Sequence, residues 1–274
     1  MLLGALAVGA TGCSSSDSGA ENTVVVSGST TVLPIAEEAA EMFSDQNPGV
    51  DVLVSGMGSS AGIEAASSGT ADIGTSSRDL KEEEADLGLT PTIIAHDGIA
   101  VIVNPNNPVS EITAGQLKAI FLGKITNWSE IGGDNLPIVL VNRDEASGTR
   151  EAFSKIVMDK EPFDIGAVVL PGTGQVREVV ARTPGAIGYI SVGFVAPRFI
   201  KTEVKALTLD GVEPTEAHVA DGTYLISRNL YFFTKGTPSP MAQRYIDFVL
   251  SDAVQSGPVV EAGFVPAKTA AGGE

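Results

Sequence analysis

The stretch on which our interpretation of the fold depends runs from residue 139 to residue 153 and reads VLVNRDEASGTREAF. Its apolar start predicts a buried strand, and its end begins a helical pattern. A helix that starts at Ser147-Gly148-Thr149 presents unpaired backbone N–H groups and the positive end of its dipole. The two hydroxyls add donors, and Arg143 adds a planar fork of N–H groups. This chemistry suits a small tetrahedral oxyanion, although an ordinary Ser-capped helix with Arg143 in a surface ion pair also fits.

Composition limits the classes of function. The chain has 274 residues, 43% of them hydrophobic, and can bury the core of one large domain or two moderate ones. Its formal net charge of −17 makes nucleic acid and anionic membrane surfaces poor partners. Oriented amides can still bind an anion at short range, because distant carboxylates are screened. Two explanations of the acidity remain open: the protein comes from a high-salt organism, or it is an ordinary acidic secreted protein.

The N-terminus resembles a lipoprotein signal. Residues 1–12 are small and apolar, too few to span a membrane, and Cys13 follows them before a polar run. Two features depart from the pattern: no basic residue precedes the apolar run, which a start codon assigned too late would explain, and Ala10 stands where Leu is usual. We predict that residues 1–22 are a signal and polar tether with Cys13 lipidated. A free cysteine in a disordered tail is the alternative.

The sequence contains few cysteine and histidine residues that could bind a metal. Cys13 is the only cysteine, which excludes an intramolecular disulfide and a cysteine-cluster metal site. The two histidines, His96 and His218, lie far apart in sequence, so a zinc site is not expected either. We predict that the protein holds no metal and needs no cofactor.

Strand and helix patterns alternate along the rest of the chain, which predicts an α/β fold of mostly parallel sheets covered by helices. Two long extended segments, 93–103 and 224–233, are expected to cross between two lobes. We predict that lobe I comprises residues 23–97 and 230–274 and that lobe II comprises residues 98–229.

Small polar turns follow several of the predicted strands. They lie at residues 27–31, 55–62, 75–79 and 145–149. Parallel sheets bind ligands at the carboxyl ends of their strands, so these turns are expected to lie where a ligand binds. If the lobes close face to face, helix N-termini from both converge on one anion, and each of its oxygens finds donors.

Four motifs occur in a distinctive order: SGSTT (27–31), GSSAG (58–62), IGTSSR (73–78) and RDEASGT (143–149). With NW (127–128) and GAIGY (185–189), they make the chain resemble the phosphate-binding protein of the bacterial and archaeal phosphate ABC importer. The resemblance covers nearly all of residues 24–266. It implies the type II periplasmic-binding-protein fold, capture of inorganic phosphate between two lobes and delivery to permease subunits of an ABC transporter.

The resemblance also implies a set of site residues. Phosphate contacts are expected from Thr30, Thr31, Ser59, Arg143, Ser147, Gly148 and Thr149, with Ser77 where better-known members carry an aspartate. Glu145 stands in the place of an acidic residue that orients the arginine. Because a serine hydroxyl can donate or accept, Ser77 is expected to separate phosphate from sulfate less sharply than an aspartate. Asp97 is either a substitute acceptor or a hinge-region hydrogen-bond partner.

Other functions fit parts of the sequence. GSSAG also matches the Gly-x-Ser-x-Gly elbow of serine hydrolases, with Ser60 as nucleophile and His96 or His218 as base. No glycine-rich oxyanion loop precedes it, and this interpretation leaves the other turns unexplained. A general oxyanion binder or sensor of the same fold is a third possibility. We predict a non-enzymatic, monomeric, extracytoplasmic protein, attached to the outer face of the cytoplasmic membrane only by its lipid.

Overall fold

The computed structural model describes residues 22–195 and 203–267, so the predicted signal with Cys13 lies outside the described residues. The predicted alternation of strands and helices is confirmed. The strands are β1 (Thr23–Gly28), β2 (Asp51–Gly56), β3 (Ile73–Ser76), β4 (Leu89–Val103), β5 (Glu111–Ile112), β6 (Val139–Arg143), β7 (Val168–Leu170), β8 (Ala186–Ser191), β9 (Lys205–Ala206), β10 (Thr208–Leu209), β11 (Ser227–Lys235) and β12 (Val265–Pro266). The helices are α1 (Leu33–Gln46), α2 (Ser59–Ser68), α3 (Ala114–Phe121), α4 (Gly148–Ile156), α5 (Thr173–Arg182), α6 (Glu216–Ala220), α7 (Pro240–Val249) and α8 (Asp252–Val254).

Eight strands follow one another in the order β2-β1-β3-β11-β4-β8-β6-β7. Strand β1 is parallel to β2 and β3, and β6 is parallel to β7 and β8. Between these groups lie β11 and β4, which are antiparallel to each other and to their outer neighbours. The two groups of parallel strands are therefore joined by two long crossover strands, as predicted.

Strand β4 serves both groups. Its first residues, to Gly98, pair with β11, and Ile99–Val103 pair with β8. The second part is buried on both faces, which explains the unbroken apolar run IAVIV. Strand β1, in contrast, alternates fully buried with partly buried residues.

The apolar interior consists of separate clusters. One combines residues 24–95 with residues 230–264, and its aromatic members include Phe43, Phe232 and Tyr245. A second draws almost wholly on residues 99–226, where the rings of Phe153 and Tyr189 stack 4.2 Å apart. A third covers the other face of the same strands. A small fourth cluster contains Ile63, Tyr231 and Phe233. The N- and C-terminal parts of the chain thus form the first and fourth clusters and the middle forms the other two, which matches a two-domain α/β fold.

Two helical segments depart from regular α geometry. Residues 252–261 form one continuous helical segment, whose middle is a π-helical turn, Gln255–Val259, that contains Pro258. Proline has no N–H to donate, which disrupts the regular hydrogen-bond ladder. The acidic segment that follows β3 contains a 3-10 helix, Glu82–Leu87. Among the described residues, no helix is both long and apolar enough to cross a membrane.

Candidate functional site

The polar turns of the two lobes meet around one small cavity. It is lined by Ser29, Thr30, Thr31, Gly58, Ser59, Ser77, Arg143, Ser147, Gly148 and Thr149. All eight residues expected from the sequence to contact the anion therefore lie around one cavity. In this closed arrangement the space between these groups is too small for a water molecule, so an anion would enter it only when the lobes separate slightly.

Lobe I contributes the turn before α1 and the N-terminus of α2. The Ser29 hydroxyl accepts from the backbone N–H groups of Thr31 and Val32, at 3.2 and 3.4 Å, which fixes the turn. Helix α2 begins at Ser59 after Gly58, without a side-chain cap. Because Gly58 has a φ of 96°, this turn favours glycine. The first-turn N–H groups of α2 are therefore not taken by a capping side chain.

Lobe II contributes the end of β6 and the N-terminus of α4. Ser147 caps α4 by accepting from the N–H of Arg150 at 3.2 Å. Gly148 packs directly on lobe I: a Cβ at this position would lie 2.3 Å from Ser59 Oγ and 2.7 Å from Ser77 Oγ. The close approach of the two lobes thus requires glycine at position 148.

Arg143 is 2% exposed, and neutral oxygens hold its guanidinium. Nε donates to the carbonyl of Leu170 at 3.2 Å, and Nη2 donates to that of Pro171 at 2.7 Å. Nη1 also donates to Thr173 Oγ1, and Nη2 to Thr30 Oγ1, at 3.2 and 3.4 Å. Burial lowers the pKa of Arg143, but an arginine starts so high that it stays protonated. Its positive charge thus remains available to an anion.

Glu145 does not orient Arg143, contrary to the expectation. Its side chain is 91% exposed, and its carboxylate lies 4.0 Å from the guanidinium of Arg150. The reason is local: β6 ends at Arg143, and Glu145 lies in the turn that follows, on the outside of the loop. The carbonyls of Leu170 and Pro171 do the work expected of Glu145.

Most hydroxyls around the cavity accept from a fixed N–H donor. The pairs are Thr30 with Arg143 Nη2 (3.4 Å), Thr31 with Arg228 Nη2 (3.4 Å), Ser59 with the N–H of Ser77 (3.0 Å) and Ser147 with the N–H of Arg150 (3.2 Å). A hydroxyl that accepts from such a donor keeps its own hydrogen to donate. The described partner of Ser77 Oγ is another hydroxyl, Ser59 Oγ at 3.3 Å, so Ser77 can still accept from a ligand.

Sequence analysis missed four residues of the site. Ser29 and Gly58 line the cavity, while Thr173 and Arg228 contact residues that line it. Ser29 and Gly58 belong to motifs quoted from the sequence, but the family resemblance assigned them no contact. The sequence did contain a signal for Arg228, because this charged residue lies inside the long extended segment 224–233, which was expected to cross between the lobes.

Asp97 is not among the residues around the cavity. It is 2% exposed and pairs with Arg228, with 2.7 Å between Asp97 Oδ2 and Arg228 Nη2. It also accepts from Ser191 Oγ at 2.7 Å. Burial raises the pKa of Asp97, and the charge of Arg228 opposes that effect. The structure thus places Asp97 in a buried ion pair between the two crossover strands and not as an acceptor in the cavity.

The hydrolase interpretation is not favoured by the contacts of its three residues. Ser60 Oγ accepts from Arg78 Nη2 at 3.2 Å. His96 Nδ1 is bonded to Asn229 Oδ1 at 2.7 Å, and His218 Nδ1 to the carbonyl of Glu213 at 2.9 Å. In the described hydrogen bonds, neither imidazole contacts Ser60, so no general base is placed beside it.

A larger groove of about 1,010 Å³ also opens between the lobes. Its lining carries charges of both signs, and two pairs of them meet across it: Lys81 with Glu151 at 3.9 Å and Lys155 with Asp79 at 3.7 Å. Mixed, paired charges do not select an anion, so we place the binding site in the small cavity. Among the described residues, no three metal-ligating side chains cluster.

Comparison with known proteins agrees with the fold and the cavity. Residues 14–253 match the family model described as PBP superfamily domain. The chain is 36% identical over 250 residues to the phosphate-binding protein PstS of Bacillus subtilis, covering 90% of this chain and 81% of the relative. It is 32% identical to PstS of Borreliella burgdorferi, covering 91% of each. The chain belongs to the PBP superfamily and, within it, to the family of the PstS proteins.

Solved structures of phosphate-binding proteins also resemble this chain in fold and sequence. A Clostridium perfringens protein assigned as a phosphate ABC transporter substrate-binding protein, solved with bound phosphate, superposes with a TM-score of 0.85. It is 40% identical, and the match covers 90% of this chain and all of that one. An ABC-type phosphate transport receptor from Vibrio cholerae superposes with a TM-score of 0.72 at 34% identity, covering 88% of this chain and 99% of that one.

Proposed function

We propose that this protein captures inorganic phosphate between its two lobes and delivers it to an ABC-type phosphate importer. The observation that carries the proposal is the small cavity, where the N-termini of α2 and α4 meet beside Arg143. The phosphate-binding names of its PstS relatives and the phosphate-bound neighbour support the choice of ligand.

The chemistry of the cavity favours an anion although the protein carries a net charge of −17. Backbone N–H groups, inward-donating hydroxyls and one guanidinium can surround four oxygens, so each lost hydration bond is replaced. The helix dipoles and Arg143 act at contact distance, whereas surface carboxylates are screened over about 8–10 Å in physiological salt. The contacts expected from the sequence are accordingly proposed as the phosphate ligands, with Ser77 as the acceptor of a phosphate proton.

The lobes are proposed to be residues 23–97 with 230–274 and residues 98–229. The membership of the apolar clusters supports this division, because it changes between Ala95 and Ile99 on one crossover strand. Near the other crossover strand it changes between Ile226 and Leu230. Bending at these two places would open the cavity, because the chain passes between the proposed lobes there.

We propose that Cys13 carries a lipid that holds the protein at the outer face of the cytoplasmic membrane. There it acts as a monomer and passes phosphate to permease subunits. We propose that no reaction is catalysed, because no His, Lys or carboxylate is among the residues that line the cavity, so its hydroxyls have no general base to activate them.

Calorimetric titration with phosphate, sulfate and molybdate tests the proposal. We expect phosphate to bind with one site per chain and more tightly than either other anion. A serine-directed fluorophosphonate should leave Ser60 unlabelled. A parent protein that shows neither heat nor a thermal shift with millimolar phosphate contradicts the proposed function, and labelling of Ser60 favours the hydrolase.

A further inference from the structure

A second guanidinium lies behind the cavity, and the sequence motifs assign it no role. Arg228 belongs to β11, and its side chain is 4% exposed. Its cross-strand neighbour in the ladder is Asp97 of β4. Nε and Nη2 both donate to Asp97 Oδ2, at 3.0 and 2.7 Å. The two crossover strands are therefore joined by a buried ion pair as well as by backbone hydrogen bonds.

The remaining donors of Arg228 reach two residues that line the cavity. Nη1 donates to the carbonyl of Ser77 at 3.2 Å, and Nη2 donates to Thr31 Oγ1 at 3.4 Å. These contacts lie on the two polar turns of lobe I that face α4. Asp97 in turn accepts from Ser191 Oγ of lobe II at 2.7 Å. One guanidinium thus links the hinge to both turns.

We propose that Arg228 is a positioning residue for the bound anion, acting through Thr31 and Ser77, with Asp97 holding its guanidinium in place. The inference rests on the proposed phosphate function. By donating to Thr31 Oγ1, Arg228 turns the hydroxyl hydrogen of Thr31 away from itself and toward the cavity. By donating to the carbonyl of Ser77, it fixes the peptide that presents the Ser77 side chain.

The buried pair of Arg228 and Asp97 suits the positioning of Thr31 and Ser77 better than it suits stabilisation of the fold alone. Exchanging a buried ion pair for neutral groups of similar shape is often tolerated, whereas removing one partner leaves an uncompensated charge. A planar fork can hold a carboxylate on one side and two further acceptors on the other, which a lysine cannot do. The contribution of Arg228 is therefore to orient the Thr31 hydroxyl and the Ser77 peptide at the cavity.

The test compares phosphate affinity in folded variants. Asp97→Asn combined with Arg228→Gln replaces the pair by two amides that can bond each other and leaves the net charge unchanged. Arg228→Lys keeps the buried cation beside Asp97. We expect the dissociation constant for phosphate to rise at least about tenfold in the double variant and less in Arg228→Lys. Arg244→Gln, an exposed arginine on α7, is the matched control and should bind like the parent.

A double-mutant cycle separates positioning from a structural role. If Arg228 acts through the Thr31 hydroxyl, Arg228→Gln should weaken binding by a smaller factor in a Thr31→Val background than in the parent. A structural role alone would lower the melting temperature of the anion-free protein and leave phosphate affinity unchanged. Parent-like affinity in whichever of these variants folds, or additive effects in the cycle, would overturn the proposal. Failure of the parent to bind phosphate would instead contradict the proposed function.

Discussion

Thr31 Oγ1 and Thr149 Oγ1 lie 3.2 Å apart, although 118 residues separate them along the chain. Thr31 precedes α1 in lobe I, and Thr149 lies in the first turn of α4 in lobe II. Their contact, with that of Thr30 and Thr173, also at 3.2 Å, joins the lobes through pairs of hydroxyl groups, beside the hydrogen bond from the Ser60 N–H to the Ala146 carbonyl at 3.1 Å. Each such contact is weak, so an anion that binds both partners can decide whether the lobes stay together.

Arg143→Ala is expected to weaken phosphate binding by about 2–5 kcal/mol, because a charge-assisted fork is lost from a buried site. Arg143→Lys should recover only part of the loss, since an ammonium cannot replace the planar fork. Isothermal titration measures both. Exposed Arg244→Ala serves as the control, and an alanine variant at position 143 that titrates like the parent would mean that the site is misplaced.

Gly148→Ala should prevent full closure, since the added Cβ would lie 2.3 Å from Ser59 Oγ. We expect a folded protein with weaker phosphate binding and a smaller decrease in radius of gyration when phosphate is added, measured by X-ray scattering. Gly174→Ala in α5 is the matched control, because a Cβ there meets no atom within 4 Å. Full compaction of the Gly148 variant would contradict this account of closure.

Ser77 should set the preference for phosphate over sulfate. A protonated phosphate can donate to Ser77 Oγ, whereas sulfate at neutral pH has no proton to give. Ser77→Asp supplies a fixed acceptor and should increase the preference by about 1–3 kcal/mol, the cost of leaving that acceptor unpaired against sulfate. Ser77→Ala should reduce it. Competition titrations between pH 6 and 8.5 check both, and equal affinity of the parent for the two anions would refute the selectivity argument.

Glu84 should make stability depend on pH below neutrality. Its carboxylate accepts from Arg78 Nη1 and Nη2 at 2.6 and 2.8 Å. Burial raises the pKa of Glu84, but the hydrogen bonds and charges of Arg78 and Lys81 outweigh it and lower the pKa below 4.5. A lowered carboxyl pKa contributes stability above the unfolded value, and that stability is lost as pH falls through the folded value.

Glu84→Gln is therefore expected to destabilise the protein by about 1–2 kcal/mol at pH 7. The difference from the parent should shrink as the pH falls below 4.5, the unperturbed value for glutamate. Thermal melts across pH 3–7 measure it. The neighbouring exposed Glu82→Gln controls for the change in net charge, and a constant difference across the range would argue against the linkage.

Salt should stabilise the protein if its acidity is an adaptation to high ionic strength. A net charge of −17 repels itself in dilute buffer, and screening shortens that repulsion to about 3 Å in 1 M salt. We expect the melting temperature to rise by about 2–4 °C or more, equivalent to about 1 kcal/mol, between 0.05 and 1 M NaCl. A melting temperature that stays unchanged supports the ordinary acidic secreted protein instead.

The sequence predicted the elements and the cavity well for a physical reason. Strand-to-helix turns rich in Ser, Thr and Gly carry their own conformational signal, and Ser59, Ser147 and Gly148 lie where that signal placed them. Glu145 was misassigned because its direction depends on where β6 ends and the turn begins. The pair of Asp97 and Arg228 could not be found, since 131 residues separate them and only the register of β4 against β11 brings them together.

The order of the chain has a consequence for its synthesis. The first apolar cluster needs residues 24–95 and also residues 230–264, and β3 gains its second neighbour only when β11 is made. At 5–20 residues per second, the ribosome needs roughly 8–30 s to pass from the end of β3 to the start of β11. Throughout that interval the first-made strands have an unpaired edge and an unfinished interior. The nascent chain is thus kept from folding completely until most of it has been translated, which is the condition that export through a narrow channel requires.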